Sequence, residues 1–117
     1  MEIIKESLRR HGVICVKGTK LSEQNMIDLA SSLGDEVVIL PPELSFNNKD
    51  LRYPPISRVG NVLMDGSLKD SMKEATIWHQ DGDFWDPADA YIFNLLHSVE
   101  RPQTGGQTWF LDLVKTL

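Results

Sequence analysis

The stretch WHQDGDFW, residues 78–85, sets His79, Asp81 and Asp83 between Trp78 and Trp85, in a chain with three histidines and three tryptophans. Together with the residues before it, ATIWHQD (75–81) reads as a strand entering a Gly-Asp turn. Side chains of a strand alternate faces, so His79 and Asp81 share one. On a helix the same spacing would part them by about 200°. An imidazole nitrogen and a carboxylate oxygen are two-thirds of the two-His-one-carboxylate facial triad, which holds Fe(II) and leaves positions open. The same two residues also satisfy each other as a plain hydrogen-bonded His–Asp pair at a strand end, and the spacing alone does not separate these readings. Asp83 reads as a turn residue, since a single turn rarely supplies a whole triad.

Outward from this stretch the chain divides into recognisable pieces. Residues 2–11 read as a short helix, with Ile4 and Leu8 one helical step apart and Gly12 as its stop. VICVK (13–17) is a strand by its β-branched content, closed by Gly18. Ser22 is an N-cap for a second helix, in which Met26, Leu29, Ala30 and Leu33 form a core stripe and Gly34 is the end. EVVIL (36–40) is a further extended run. PPELSFNNKDLRYPP (41–55) carries four prolines and two asparagines and reads as a loop, long enough to line a site. ISRVGNVLMDG (56–66) reads as a strand ending in a turn at Asp65-Gly66, and SLKDSMKE as a surface loop. YIFNLLHSV (91–99) is an apolar strand, RPQTGGQ a turn in which the glycine pair permits positive φ, and TWFLDL a final strand. Helices first and strands after give an α+β chain opening onto antiparallel sheet structure.

Bulk properties narrow the function. The 117 residues form at most one domain, 41% hydrophobic and 25% charged, so whole-chain disorder is disfavoured. The net charge of −5 without a basic run disfavours a nucleic-acid partner. No apolar run is long enough for a membrane span, and the charged N-terminus does not read as a signal peptide. The single cysteine, Cys15, lies in an apolar run and reads as a buried structural thiol. A soluble, reducing, cytoplasmic setting follows as the expectation.

The combination W-H-x-D-x-x-F, a gap, an apolar strand and then P-x-x-G-G-x-T resembles the taurine dioxygenase-like (TauD/TfdA) family of Fe(II)/2-oxoglutarate dioxygenases. Its pieces here are Trp78 to Phe84 and Pro102-Gln103-Thr104-Gly105-Gly106-Gln107-Thr108. The opening is similar too: a helix ending HG, then VICVKG, then a helix ending SLG. The resemblance implies the N-terminal part of a double-stranded β-helix (jelly roll) with two leading helices, its barrel incomplete within this sequence. Residues 1–40 would be the helix/strand opening, 41–55 the proline-rich loop and 56–117 the jelly-roll strands with the H-x-D motif. It implies His79 and Asp81 as iron ligands and Thr108 as the contact to the 2-oxoglutarate carboxylate. It implies packing for Trp78, packing or a pocket wall for Phe84, and a strand near the substrate for Asn61. Fe(II) and 2-oxoglutarate would be cofactor and co-substrate, and a small molecule the substrate, oxidised at a C–H bond.

The family takes a second histidine, and an arginine for the far carboxylate of 2-oxoglutarate, from strands farther downstream, and begins a helix where this sequence reads LDLVKTL. His97 does not match the distal position, and His11 ends the first helix. The expectation is therefore an N-terminal half that pairs with itself or with a second chain carrying the C-terminal half. Two other readings stay open: a non-catalytic remnant serving as an interaction module, and a cupin-like protein using the pair for another divalent ion.

Overall fold

The computed structural model describes residues 1–41, 52–60, 62, 65–68, 77–82, 85–86 and 92–116. Three α-helices lie among them: α1 (Glu2–His11), α2 (Glu23–Leu33) and α3 (Leu113–Thr116). The chain divides into two compact units, one of Met1–Lys20 with Leu95–Leu117 and the other of Leu21–Asn94.

In the first unit, α1 begins with Glu2 in its first turn and ends with Arg9, Arg10 and His11, charges that complement the helix dipole at both ends. The Arg9 guanidinium meets Glu6 at 2.7 Å and Glu2 at 3.5 Å, exposed pairs that solvent screens. The helix stops where Gly12, at φ 71°, donates its N–H to the Leu8 carbonyl at 2.8 Å. Ile4 and Leu8 are half-buried, as their helical spacing requires, while Ile3 stays 83% exposed. Cys15 is exposed, which corrects the buried thiol expected from its apolar neighbours. Only Ile14 of the run 13–17 is half-buried, so the run covers one side chain rather than a continuous core.

At the other end of this unit Asp112 organises a helix start. Its Oδ1 accepts from the N–H groups of Val114 at 3.1 Å and Lys115 at 3.3 Å. The expected strand TWFLDL (108–113) is not assigned as strand here, and a side-chain cap at Asp112 commits Leu113 to α3. The Lys115 ammonium lies 3.0 Å from Asp112 Oδ2. That hydrogen bond first, and the backbone N–H groups after it, hold the Asp112 carboxyl below the usual carboxylate range. The turn before it contains Gly105 at φ 77° and Gly106 at φ 71°, the positive values the glycine pair suggests.

In the second unit, α2 is capped as expected: Ser22 Oγ accepts from the Asn25 N–H at 3.2 Å, a contact of the kind worth about 1 kcal/mol. Gln24 Nε2 donates to Asp28 Oδ1 at 2.9 Å one turn on, and the Gly34 N–H closes the helix on the Ala30 carbonyl. Of the apolar stripe, Leu33 is buried and Met26, Leu29 and Ala30 are half-buried. The turn at Asp65-Gly66 forms, with Gly66 at φ 83° and Asp65 Oδ1 accepting from the Ser67 N–H at 2.9 Å. It lets Val62 and Leu68 meet in an isolated antiparallel bridge. Leu68, read from sequence as loop, is thus returned against the preceding segment.

That bridge is the sole β-pairing among the described residues, and the expected strands at 13–17, 36–40, 56–66, 75–81, 91–99 and 108–113 make no ladder there. Most of residues 41–55, part of 56–66 and the residues around 75 and 91 fall outside the described set. The described apolar residues are mostly uncovered. Leu33 alone of the hydrophobic side chains is buried, whereas Ile77, Trp78, Ile92, Trp109 and Val114 are 70% or more exposed. No helix of the described residues is long and apolar enough to cross a membrane.

Two outcomes test these local arrangements. A Cβ on Gly106 would stand 2.7 Å from Pro102 Cγ, whereas one on Gly105 would meet nothing within 4 Å. Both positions have positive φ, which costs an L-residue about 1–2 kcal/mol. Gly106→Ala should therefore destabilise by more than Gly105→Ala, with a total of about 2–3 kcal/mol in urea unfolding. Because the folded value of Asp112 is depressed, its stabilisation of α3 is present above the ordinary carboxylate pKa and lost as pH falls through the folded value. NMR secondary shifts of residues 113–116 should therefore lose helical character on acidification, and Asp112→Asn should remove that dependence.

Candidate metal centre

His79 and Asp81 come together in the second unit. Asp81 stands at the start of a turn in which Gly82, buried and at φ 81°, offers its carbonyl to the Trp85 N–H at 3.1 Å. The two side chains stand side by side before it. His79 Nε2 lies 3.2 Å from Asp81 Oδ1, with both side chains about half exposed (51% and 50%).

Hydrogen-bond chemistry decides the state of the imidazole. His79 Nδ1 lies 3.0 Å from the Ile77 carbonyl oxygen. A carbonyl only accepts, so Nδ1 carries the proton. In the neutral ring this leaves the lone pair on Nε2, the atom facing Asp81. An ionised carboxylate is also an acceptor. Two acceptors at this separation repel unless a positive charge stands between them. That charge is a proton, giving an imidazolium–carboxylate pair, or a metal ion.

The distance fits a metal. First-row divalent ions bind imidazole nitrogen and carboxylate oxygen at about 2.0–2.2 Å, so two such ligands at right angles stand about 3 Å apart. A ring nitrogen tied to a backbone carbonyl is also the usual way a metal-binding histidine is oriented. The protonated pair, half exposed as it is, would stabilise the fold by at most about 1 kcal/mol. Among the described residues no three His, Cys, Asp or Glu side chains group as a metal site.

The other expected residues fall elsewhere. Thr108 follows the Gly105-Gly106 turn in the first unit and is exposed. His97, half-buried, and His11, exposed at the end of α1, belong to that unit as well. Asn61, Asp83 and Phe84 lie outside the described residues. Trp78, expected to pack, is 70% exposed, because the described segment around it has no covering layer.

One residue of the site was not singled out by sequence reasoning. Asn94 Nδ2 donates to Asp81 Oδ2 at 2.5 Å, bringing the run after residue 91 against the H-x-D turn. The clue was present in the sequence: Asn94 is a lone polar side chain between Ile92-Phe93 and Leu95-Leu96.

Comparison with known proteins agrees with the motif. No curated protein and no solved structure matches the chain. The profile of a family described as "Taurine catabolism dioxygenase TauD, TfdA family" matches residues 1–117, the whole of the sequence. A match of that extent covers the helical opening, the H-x-D turn and the G-G-x-T turn together, and the chain belongs to the TauD/TfdA family of dioxygenases.

Proposed function

We propose that this chain supplies the N-terminal half of an Fe(II)/2-oxoglutarate-dependent oxygenase that oxidises a C–H bond of a small molecule. The observation that carries the reading is the His79–Asp81 contact, with Nδ1 held by a backbone carbonyl and Nε2 presented at chelating distance from a carboxylate oxygen. Family membership supplies the metal and the co-substrate that such a pair would serve.

His79 Nε2 and Asp81 Oδ1 would hold the iron. Thr108 would donate its hydroxyl to a carboxylate of 2-oxoglutarate, and Asn61 and Phe84 would face the substrate. Fe(II), 2-oxoglutarate and O2, when bound, supply the oxidising chemistry for an unactivated C–H bond. The chain's own residues orient these groups and keep water from the reacting bond.

The architecture proposed for the site is the first part of a double-stranded β-helix with two leading helices. One observation supports a partner that covers it. Large apolar side chains, among them Trp109, Phe110 and Leu111 beside Thr108, are more than half exposed. Covering each such side chain would contribute about 1.5–3 kcal/mol. A second copy, or a chain carrying the C-terminal half, would cover them and extend the extended segments into ladders.

Anaerobic addition of Fe(II) and 2-oxoglutarate should produce a weak visible charge-transfer band that disappears in His79→Ala and Asp81→Ala. Lack of both a band and metal uptake would point instead to a non-catalytic interaction module. Size-exclusion chromatography should show association that grows with concentration, and a clean monomer at high concentration would remove the partner from this reading.

A further inference from the structure

We propose that Asn94 is a positioning residue for the metal-binding carboxylate, holding Asp81 in one-oxygen coordination by occupying its outer oxygen. The inference rests on the assignment of His79 and Asp81 as metal ligands.

The two oxygens of Asp81 have different neighbours. Oδ1 faces His79 Nε2 at 3.2 Å, and Oδ2 accepts from Asn94 Nδ2 at 2.5 Å. The identity of the donating atom follows from chemistry. An ionised carboxylate only accepts, so the amide must turn its NH2 group toward it. A hydrogen bond to a charged acceptor is roughly twice as strong as a neutral one. An amide also keeps its donor with no change of charge across pH, whereas a histidine or lysine in its place would change charge.

Geometrically, a carboxylate free to rotate can offer a metal one oxygen or both. With Oδ2 engaged by Asn94, rotation that would bring it to the metal breaks that bond. Oδ1 is left as the ligand, already beside Nε2. Asp81 then takes one coordination position rather than two, which leaves more of the metal's positions for other ligands. His79 is secured in a parallel way, through Nδ1 and the Ile77 carbonyl. Each ligand atom is thus backed by a hydrogen bond on its far side, and such outer partners typically change metal affinity 10–100-fold when removed. Asn94 is separated from Asp81 by 13 residues, so the contact also ties two distant points of the second unit together.

The test uses the full chain and Co(II) as a spectroscopic probe, titrated anaerobically without 2-oxoglutarate. Three variants are compared with the native chain: Asn94→Leu, which keeps approximate size and loses the donor; Asn94→Gln, which keeps the amide; and His79→Ala. Circular dichroism checks that each is folded, which the exposed position of Asn94 favours. Asn94→Leu should weaken Co(II) binding 10–100-fold. In the infrared difference spectrum between metal-loaded and metal-free protein, the splitting between the two carboxylate stretches should narrow as Asp81 turns to two-oxygen binding. Asn94→Gln should restore much of the affinity and the wide splitting. If Asn94→Leu binds as tightly as the native chain with an unchanged splitting, while His79→Ala does not bind, the positioning role is wrong and the metal site stands. If the native chain takes up no Co(II), the metal assignment falls and this inference falls with it.

Discussion

The Asp81 carboxylate is the point on which the described site depends. It is the one group that meets both the imidazole of its own segment and a side chain from the run after residue 91. Its negative charge explains each neighbour. Asn94 turns its donor toward Oδ2, and the lone-pair side of His79 can face Oδ1 only when a cation lies between. Exposure of about half for both His79 and Asp81 leaves room for an ion to enter and for solvent to weaken a bare ion pair.

A second constraint is the shortage of covering layers. The described units hold helices with sound ends and turns with suitable glycines, yet Leu33 is the single buried hydrophobic side chain among the described residues, and it keeps 8% of its surface exposed. Local chemistry is complete where it can be: Ser22 caps α2, Asp112 caps α3, and Asp65 anchors the turn between Val62 and Leu68. What needs another layer, apolar faces and strand edges, is not satisfied by the described residues. Helix caps and turns close over three or four residues, whereas burial and ladders require a second surface.

Much of the site was legible in the sequence, and for definite reasons. His79 and Asp81 were visible because an i, i+2 pair before a Gly turn has a restricted set of geometries. Gly105-Gly106 was visible because few residues accept positive φ. The limits of α1 and α2 followed from apolar spacing and from Ser22, Gly12 and Gly34. Asn94 was not visible as a partner of Asp81, since a contact across 13 residues depends on how two segments approach and not on either segment alone. Cys15 was misjudged for a related cause: apolar neighbours along a strand show that a face could be covered, not that anything covers it.

By itself, then, the sequence determined the family, the two leading helices, the turns and the candidate ligand pair, all properties carried by residues within a few positions of one another. The tertiary structure decided the seating of the His79 ring between the Ile77 carbonyl and Asp81, the recruitment of Asn94, the capping of α3 by Asp112 and the exposure of Cys15 and Trp78. These depend on distances and orientations between groups, and on which faces find cover. Chain spacing constrains such quantities only loosely, because small changes in backbone direction move a side chain by more than the length of a hydrogen bond.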